Sequence, residues 1–140
     1  MHKGYYITDK GNKVEIVEDN TLYLQREHMV KMIIPKGSKR VCCYNNQLTE
    51  LNLPDGVIYV HCSDNQLTEL NLPKGVKHAY CSNNKLTELI IPDGAEEVYC
   101  YNNQIKNLVL PYNVKLVGCD LGVLDINEYK HSNINIILFI

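Results

Sequence analysis

The chain is 140 residues long with 14 basic against 16 acidic residues and a formal net charge of −2, and it is read as one domain over 1–140. Its longest basic cluster, Lys36, Lys39 and Arg40, is broken by Gly37 and Ser38, so neither nucleic acid nor an anionic membrane is expected as a partner. No stretch approaches the roughly 18 apolar residues of a spanning helix, and residues 1–20 hold no apolar core of signal-peptide length; the expectation is a soluble, cytoplasmic protein.

In chain order, residues 5–17 come first: YYIT, then DKGN, then KVEIV. Two alternating runs around a glycine-containing turn predict a β-hairpin, placed as an N-terminal cap over 1–19. A repeat follows, with cysteines at Cys43, Cys62, Cys81, Cys100 and Cys119, each 19 residues after the last. Three residues beyond the first four stand Asn46, Asn65, Asn84 and Asn103, and two further on Leu48, Leu67, Leu86 and Ile105. Leu51, Leu70, Leu89 and Leu108 keep the phase, as do Leu53, Leu72, Ile91 and Leu110 with the prolines that follow them. One step back, Leu22, Leu24, Met29, Met32 and Ile34 occupy equivalent places, with Glu27 where Asn recurs. A degenerate first coil thus begins near Asn20, and about six repeats span 20–122.

Within a coil, apolar residues around Val60 and Cys62 alternate with Tyr59, His61 and Ser63, the period of a strand with one buried face. Nineteen residues leave room for that strand, a turn, a second extended stretch around Leu70 and Leu72 and a Pro-Gly corner, but not for a helix with two loops. Stacked coils bury each other's apolar edges and need covers at both ends. The prediction is a mainly β solenoid with a parallel concave sheet and an extended convex side. After Cys119 the pattern decays, with Gly122 in place of Asn and Asn127 in place of Leu; 123–140 is read as a C-terminal cap whose tail INIILFI supplies a closing strand.

The coil, written apolar-x-x-apolar-x-Cys-x-x-Asn-x-Leu-x-x-Leu-x-Leu-Pro-x-Gly, resembles the leucine-rich-repeat signature over residues 20 to about 122. Its short length, signature cysteine and Leu-Pro ending look most like the compact bacterial and viral types. The resemblance implies a right-handed solenoid with a parallel concave sheet and a protein-binding role, and it names no partner. Abundant Asn, Lys, Ile and Tyr fit an AT-rich genome such as that of some viruses, phages or low-GC bacteria; for a viral or effector protein the compartment is the host cytosol.

Two columns invite a chemical reading and are given a structural one. Equivalent residues on adjacent parallel strands lie about 4.8 Å apart and point the same way, which is wide for a disulfide and does not converge four ligands on a zinc ion. Cys43, Cys62, Cys81, Cys100 and Cys119 are therefore expected buried, reduced and metal-free in a reducing compartment. The amides of Asn46, Asn65, Asn84 and Asn103 are expected to satisfy backbone groups at the bend between coils. No cofactor and no metal are expected.

Function is sought where the scaffold repeats and the side chain varies. By parity the outward columns are Thr21, Arg40, Tyr59, His78, Glu97 and Leu116; then Tyr23, Cys42, His61, Tyr80, Tyr99 and Gly118; then Gln25, Tyr44, Ser63, Ser82, Tyr101 and Asp120. Tyr and Arg are favoured interface anchors because they join large contact area to a polar tip. A protein partner is accordingly expected on Arg40, Tyr44, Tyr59, His61, His78, Tyr80, Glu97, Tyr99 and Tyr101, against the alternative that Tyr simply favours strands. The face offers on the order of 400 Å², so either a modest affinity or help from the loop edge Asn45, Asp64, Asn83 and Asn102 is expected. Cys42 beside His61 and His78 holds the raw material of nucleophilic catalysis, with Cys42 expected exposed and reactive; a shallow sheet without an oxyanion donor pair makes a non-enzymatic protein the expectation. A monomer is expected, with self-association through a terminal strand edge as the remaining class.

Overall fold

The computed structural model describes residues 4–16, 21–24 and 27–140, with 21–23 described by backbone alone. The first alternating runs form β1 (Gly4–Thr8) and β2 (Lys13–Ile16), an antiparallel hairpin with Tyr5 opposite Glu15. Strand β3 (Thr21–Tyr23) belongs to the first coil, and β4 (Met29–Ile33) pairs antiparallel with β1. The hairpin therefore recruits the convex half of the first coil into a three-stranded sheet of order β2-β1-β4. Met29 and Met32 face inward from β4 and are buried. That a strand forms here and at no later convex stretch has a simple cause: only the first coil has a hairpin edge to pair with.

Five further strands repeat the alternation: β5 (Arg40–Cys42), β6 (Tyr59–His61), β7 (His78–Tyr80), β8 (Glu97–Tyr99) and β9 (Leu116–Asp120). A 3-10 turn at Ile126–Tyr129, capped by the Asp125 carboxylate, leads to β10 (Asn135–Phe139). Seven strands make one parallel sheet, order β10-β9-β8-β7-β6-β5-β3. The register keeps the repeat throughout: Arg40 pairs with Tyr59, Tyr59 with His78, His78 with Glu97, Glu97 with Leu116 and Leu116 with Asn135. The chain is thus a nearly all-β solenoid with a parallel concave sheet. The tail strand expected to close it sits a full 19 residues beyond β9, although its sequence has lost the motif.

The core is a stack of columns. Val41, Val60, Ala79, Val98 and Val117 point inward from the sheet, the five repeat cysteines follow, and Leu48, Leu67 and Leu86 fill the opposite wall, all buried. Each fully buried Leu contributes about 1.5–3 kcal/mol. The convex side runs extended without strand pairing, held at one corner by single backbone bonds in which Gln66 donates to Leu48, Lys85 to Leu67 and Gln104 to Leu86, each 2.8 Å. The other corner is built by asparagine. Asn65 Oδ1 accepts from the Leu48 amide at 3.0 Å, and its Nδ2 lies 3.0 Å from the Cys43 and Cys62 carbonyls and 3.3 Å from that of Ser63. Asn84 repeats the set on Leu67, Cys62, Cys81 and Ser82. One amide therefore satisfies backbone groups of two coils, where a bend leaves them without a ladder partner. Just before it, Asn45, Asp64, Asn83 and Asn102 have φ between 54° and 57°, a left-handed conformation that Asn and Asp tolerate better than other side chains.

At the first coil, Glu27 replaces the corner asparagine. Its carboxylate accepts from the Tyr6 hydroxyl at 3.3 Å, tying hairpin to solenoid, while its backbone amide donates to Asn46 Oδ1 at 3.0 Å. At the last corner the Asp120 carboxylate accepts from the Asn102 and Asn103 amides at 2.8 and 3.3 Å, taking the place that the Tyr101 carbonyl holds for the Asn83 amide one coil earlier. Among the described residues no helix is long and apolar enough to cross a membrane.

Candidate functional site

The parallel register lays outward side chains in rows across the concave face, and aromatic residues recur in those rows. Rings on neighbouring strands fall within stacking reach because the strands are about 4.8 Å apart. The Arg40 guanidinium lies over the Tyr59 ring, 4.1 Å from its centroid. Tyr59 meets Tyr80 at 5.5 Å, and Tyr80 stacks on Tyr99 at 5.5 Å with planes 19° apart. Tyr99 meets Tyr101 edge-on at 6.5 Å. On the corner side Tyr44 stacks on His61 at 4.3 Å, and His61 leans on Tyr80 at 5.4 Å. These rings are half-buried, neither packed in the core nor freely solvated.

Charge is used sparingly and in pairs. His78 Nδ1 lies 3.4 Å from the Glu97 carboxylate, which also takes a hydrogen bond from the Tyr80 hydroxyl. Burial, then that bond and the Glu97 charge, raise the Tyr80 pKa, so the phenol stays protonated and donating at neutral pH. Burial lowers the His61 pKa, with Asp64 opposing the shift, which favours the neutral imidazole.

All nine side chains expected on this face lie on it and form one connected group, which Tyr44 joins through His61. Gln25 and the side chain of Tyr23 lie outside the described residues. One expectation is overturned: Cys42 lies on the outward side of its strand, yet is only 4% exposed. Burial raises its thiol pKa, with nearby Arg40 opposing, the reverse of the thiolate stabilisation that activates a cysteine nucleophile. The five column cysteines are also buried and free. Burial pushes the Cys43 thiol up to about 12. Among the described residues no three His, Cys, Asp or Glu side chains gather to hold a metal ion.

Sequence reasoning missed Phe139. It stacks on Tyr101 with ring centroids 3.9 Å apart and so continues the aromatic surface onto β10. The signal was positional, since Phe139 falls one repeat after Asp120 in the third outward column. Gly118 matters for a related reason. A β-carbon there would lie 2.5 Å from Tyr99 Cδ1 and 3.2 Å from Phe139 Cε2, so the missing side chain leaves the berth into which the Tyr99 ring lies down.

The serines of the third column open a depression of about 180 Å³ in the face, lined by His61, Ser63, Asp64, Tyr80, Ser82, Asn83, Tyr99 and Tyr101. A larger cleft of about 640 Å³ lies away from the aromatic face, between the Pro111–Lys115 corner and Glu128–Ile134. Compared with protein-family models, curated proteins and solved structures, the chain matches none significantly.

Proposed function

We propose that this chain is a leucine-rich-repeat interaction module of a reducing, cytoplasmic compartment that binds a protein partner on its concave face and performs no catalysis. The observation that carries the reading is the connected, half-exposed aromatic surface from Arg40 and Tyr59 through Tyr80, Tyr99 and Tyr101 to Phe139. Rings already stacked on one another lose little freedom on binding, and large amphipathic side chains held in place supply contact area at low entropic cost. With β10 the face reaches on the order of 500 Å², below the roughly 800 Å² per partner of a standard interface. A partner therefore also covers the Asn and Asp rim or binds with modest affinity. Affinity capture run in parallel with the wild-type chain and a Tyr80→Ala, Tyr99→Ala variant tests this. A protein retained by the first and lost by the folded second supports the reading, and equal capture refutes it.

A second reading is self-association through the C-terminal edge. Strand β10 ends the sheet with Ile137 42% exposed and Ile140 fully so, and an uncovered strand edge is a pairing template. Sedimentation across a concentration range separates the two, because only self-association makes the sedimentation coefficient climb with concentration.

A further inference from the structure

In the third outward column Tyr44 and Tyr101 stand at either end of Ser63 and Ser82. Two small residues on adjacent coils between large rings leave a notch, with the Tyr80, Tyr99, Tyr101 and His61 rings as walls and Asp64 and Asn83 at the lip. Ser82 is 2% exposed, and its Oγ is the one buried side-chain nitrogen or oxygen among the described residues without a hydrogen-bond partner. A buried hydroxyl left unpaired is costly, and one that lines a cavity points to a ligand that would complete it.

The lining defines the ligand's chemistry. Its ionised group is the Asp64 carboxylate, and no Lys or Arg lines it. Aromatic faces carry the negative part of the ring quadrupole and attract cations. The His61 imidazole, held toward its neutral form by burial, adds no opposing charge at neutral pH. An apolar side chain would leave Ser82 Oγ unpaired, and a carboxylate would meet both Asp64 and the ring faces. An ammonium carries three donors and no acceptor, which suits a carboxylate and a hydroxyl with one donor left for water, while its methylene stem packs on tyrosine.

We infer that this notch is a socket for one lysine side chain presented by the partner, an inference that rests on the concave face being the protein-binding surface. The third column then sets specificity: its two serines and Asp64 read a cation, whereas the ladder beside them supplies contact area. Among the described residues four equivalent corner positions share one left-handed conformation, and Asp64 is acidic where the other three are Asn45, Asn83 and Asn102.

The test uses the full chain and two blocked tripeptides, acetyl-Gly-Lys-Gly-amide and its norleucine analogue, which lacks only the ammonium. Titrations are followed by the backbone amide NMR signals of Ser63, Asp64, Ser82 and Tyr101. Saturable shifts confined to the notch are expected with the lysine peptide, weakening as salt is added, with the norleucine peptide at least about tenfold weaker. Asp64→Asn, which restores the side chain of the neighbouring corners, should weaken the lysine peptide by about tenfold, and Ser82→Ala by several-fold. Equal binding of both peptides, shifts centred elsewhere, or undiminished binding to Asp64→Asn would overturn the socket. Tyr59 lies outside the notch, so Tyr59→Ala separates the two ideas. A captured partner weakened by Tyr59→Ala but not by Asp64→Asn refutes the socket and leaves the binding face standing, whereas a partner indifferent to both refutes the face itself.

Discussion

The Tyr101 and Phe139 rings lie face to face, centroids 3.9 Å apart and planes 19° from parallel. Through this stack the last strand, whose own sequence has left the repeat, is fastened to the concave surface. Phe139→Ala should lower stability by about 1–2 kcal/mol, from the lost ring pair and part of its apolar burial. Amide exchange should then quicken over Asn135–Phe139 first, with the protection of β7 falling less.

Asn84 serves two coils at once, so its replacement is felt by both. Asn84→Leu keeps bulk but strips the partner from the Leu67 amide, and leaves the Cys62 and Cys81 carbonyls with the Asn65 and Asn103 amides alone. The cost should be about 1–3 kcal/mol, that of one buried backbone group left unpaired. Urea unfolding of this variant beside the wild type measures it, and an unchanged midpoint would mean the corner is satisfied in another way.

Alkaline pH should destabilise the fold through its thiols. An unfolded cysteine ionises near pH 8.5, whereas burial pushes Cys43 up to about 12 and Cys62 and Cys81 well above the usual range. The folded pKa is the raised one, so this contribution is complete below about pH 8.5 and is lost as pH climbs toward the folded values, by up to about 1.4 kcal/mol per unit for each such thiol. Urea midpoints from pH 7.5 to 10 should fall, with a shallower slope in Cys62→Ala. In native protein at pH 7.5 a thiol-reactive dye should label none of the six cysteines quickly, Cys42 included, and all six once the chain is unfolded.

On the binding face, Tyr80→Ala and Tyr99→Ala should each weaken the partner by about 2 kcal/mol or more. Tyr80 sits among Tyr59, His61 and Tyr99 and donates to Glu97, so its truncation should also cost the fold about 1–2 kcal/mol. Glu50 and Glu69, exposed on the convex side, should change neither quantity when replaced by Ala. Calorimetry paired with thermal melts separates the two effects.

Much of this fold was legible in the residues because its constraints are periodic. Parity around Val60 placed Tyr59 and His61 outward, and the cysteine spacing set the register of β5 through β9. What was not legible depends on contacts between distant segments or on the solid shape of neighbours. Met29–Ile33 looks like any other convex stretch until the hairpin supplies an edge for it. Cys42 reads as outward, but parity gives direction and not depth, and its surroundings cover it. The Asn and Asp residues at 45, 64, 83 and 102 looked like a polar rim, whereas the backbone requires a residue that accepts positive φ. The notch at Ser82 follows from what Tyr101 and Tyr80 do around it, which a single column cannot disclose.

Because every strand of the parallel sheet pairs with the one a constant interval away, the solenoid can be edited like a measured tape. Removing residues 57–75 would join Gly56 to Val76 and bring His78 beside Arg40 at a seam of the same geometry, with both ends untouched. In-frame gain or loss of one such segment rewrites the order of rings and charges on the surface while leaving the terminal closures in place. Variation by whole segments is therefore open to this chain as a route to a new recognition surface, alongside variation by single residues.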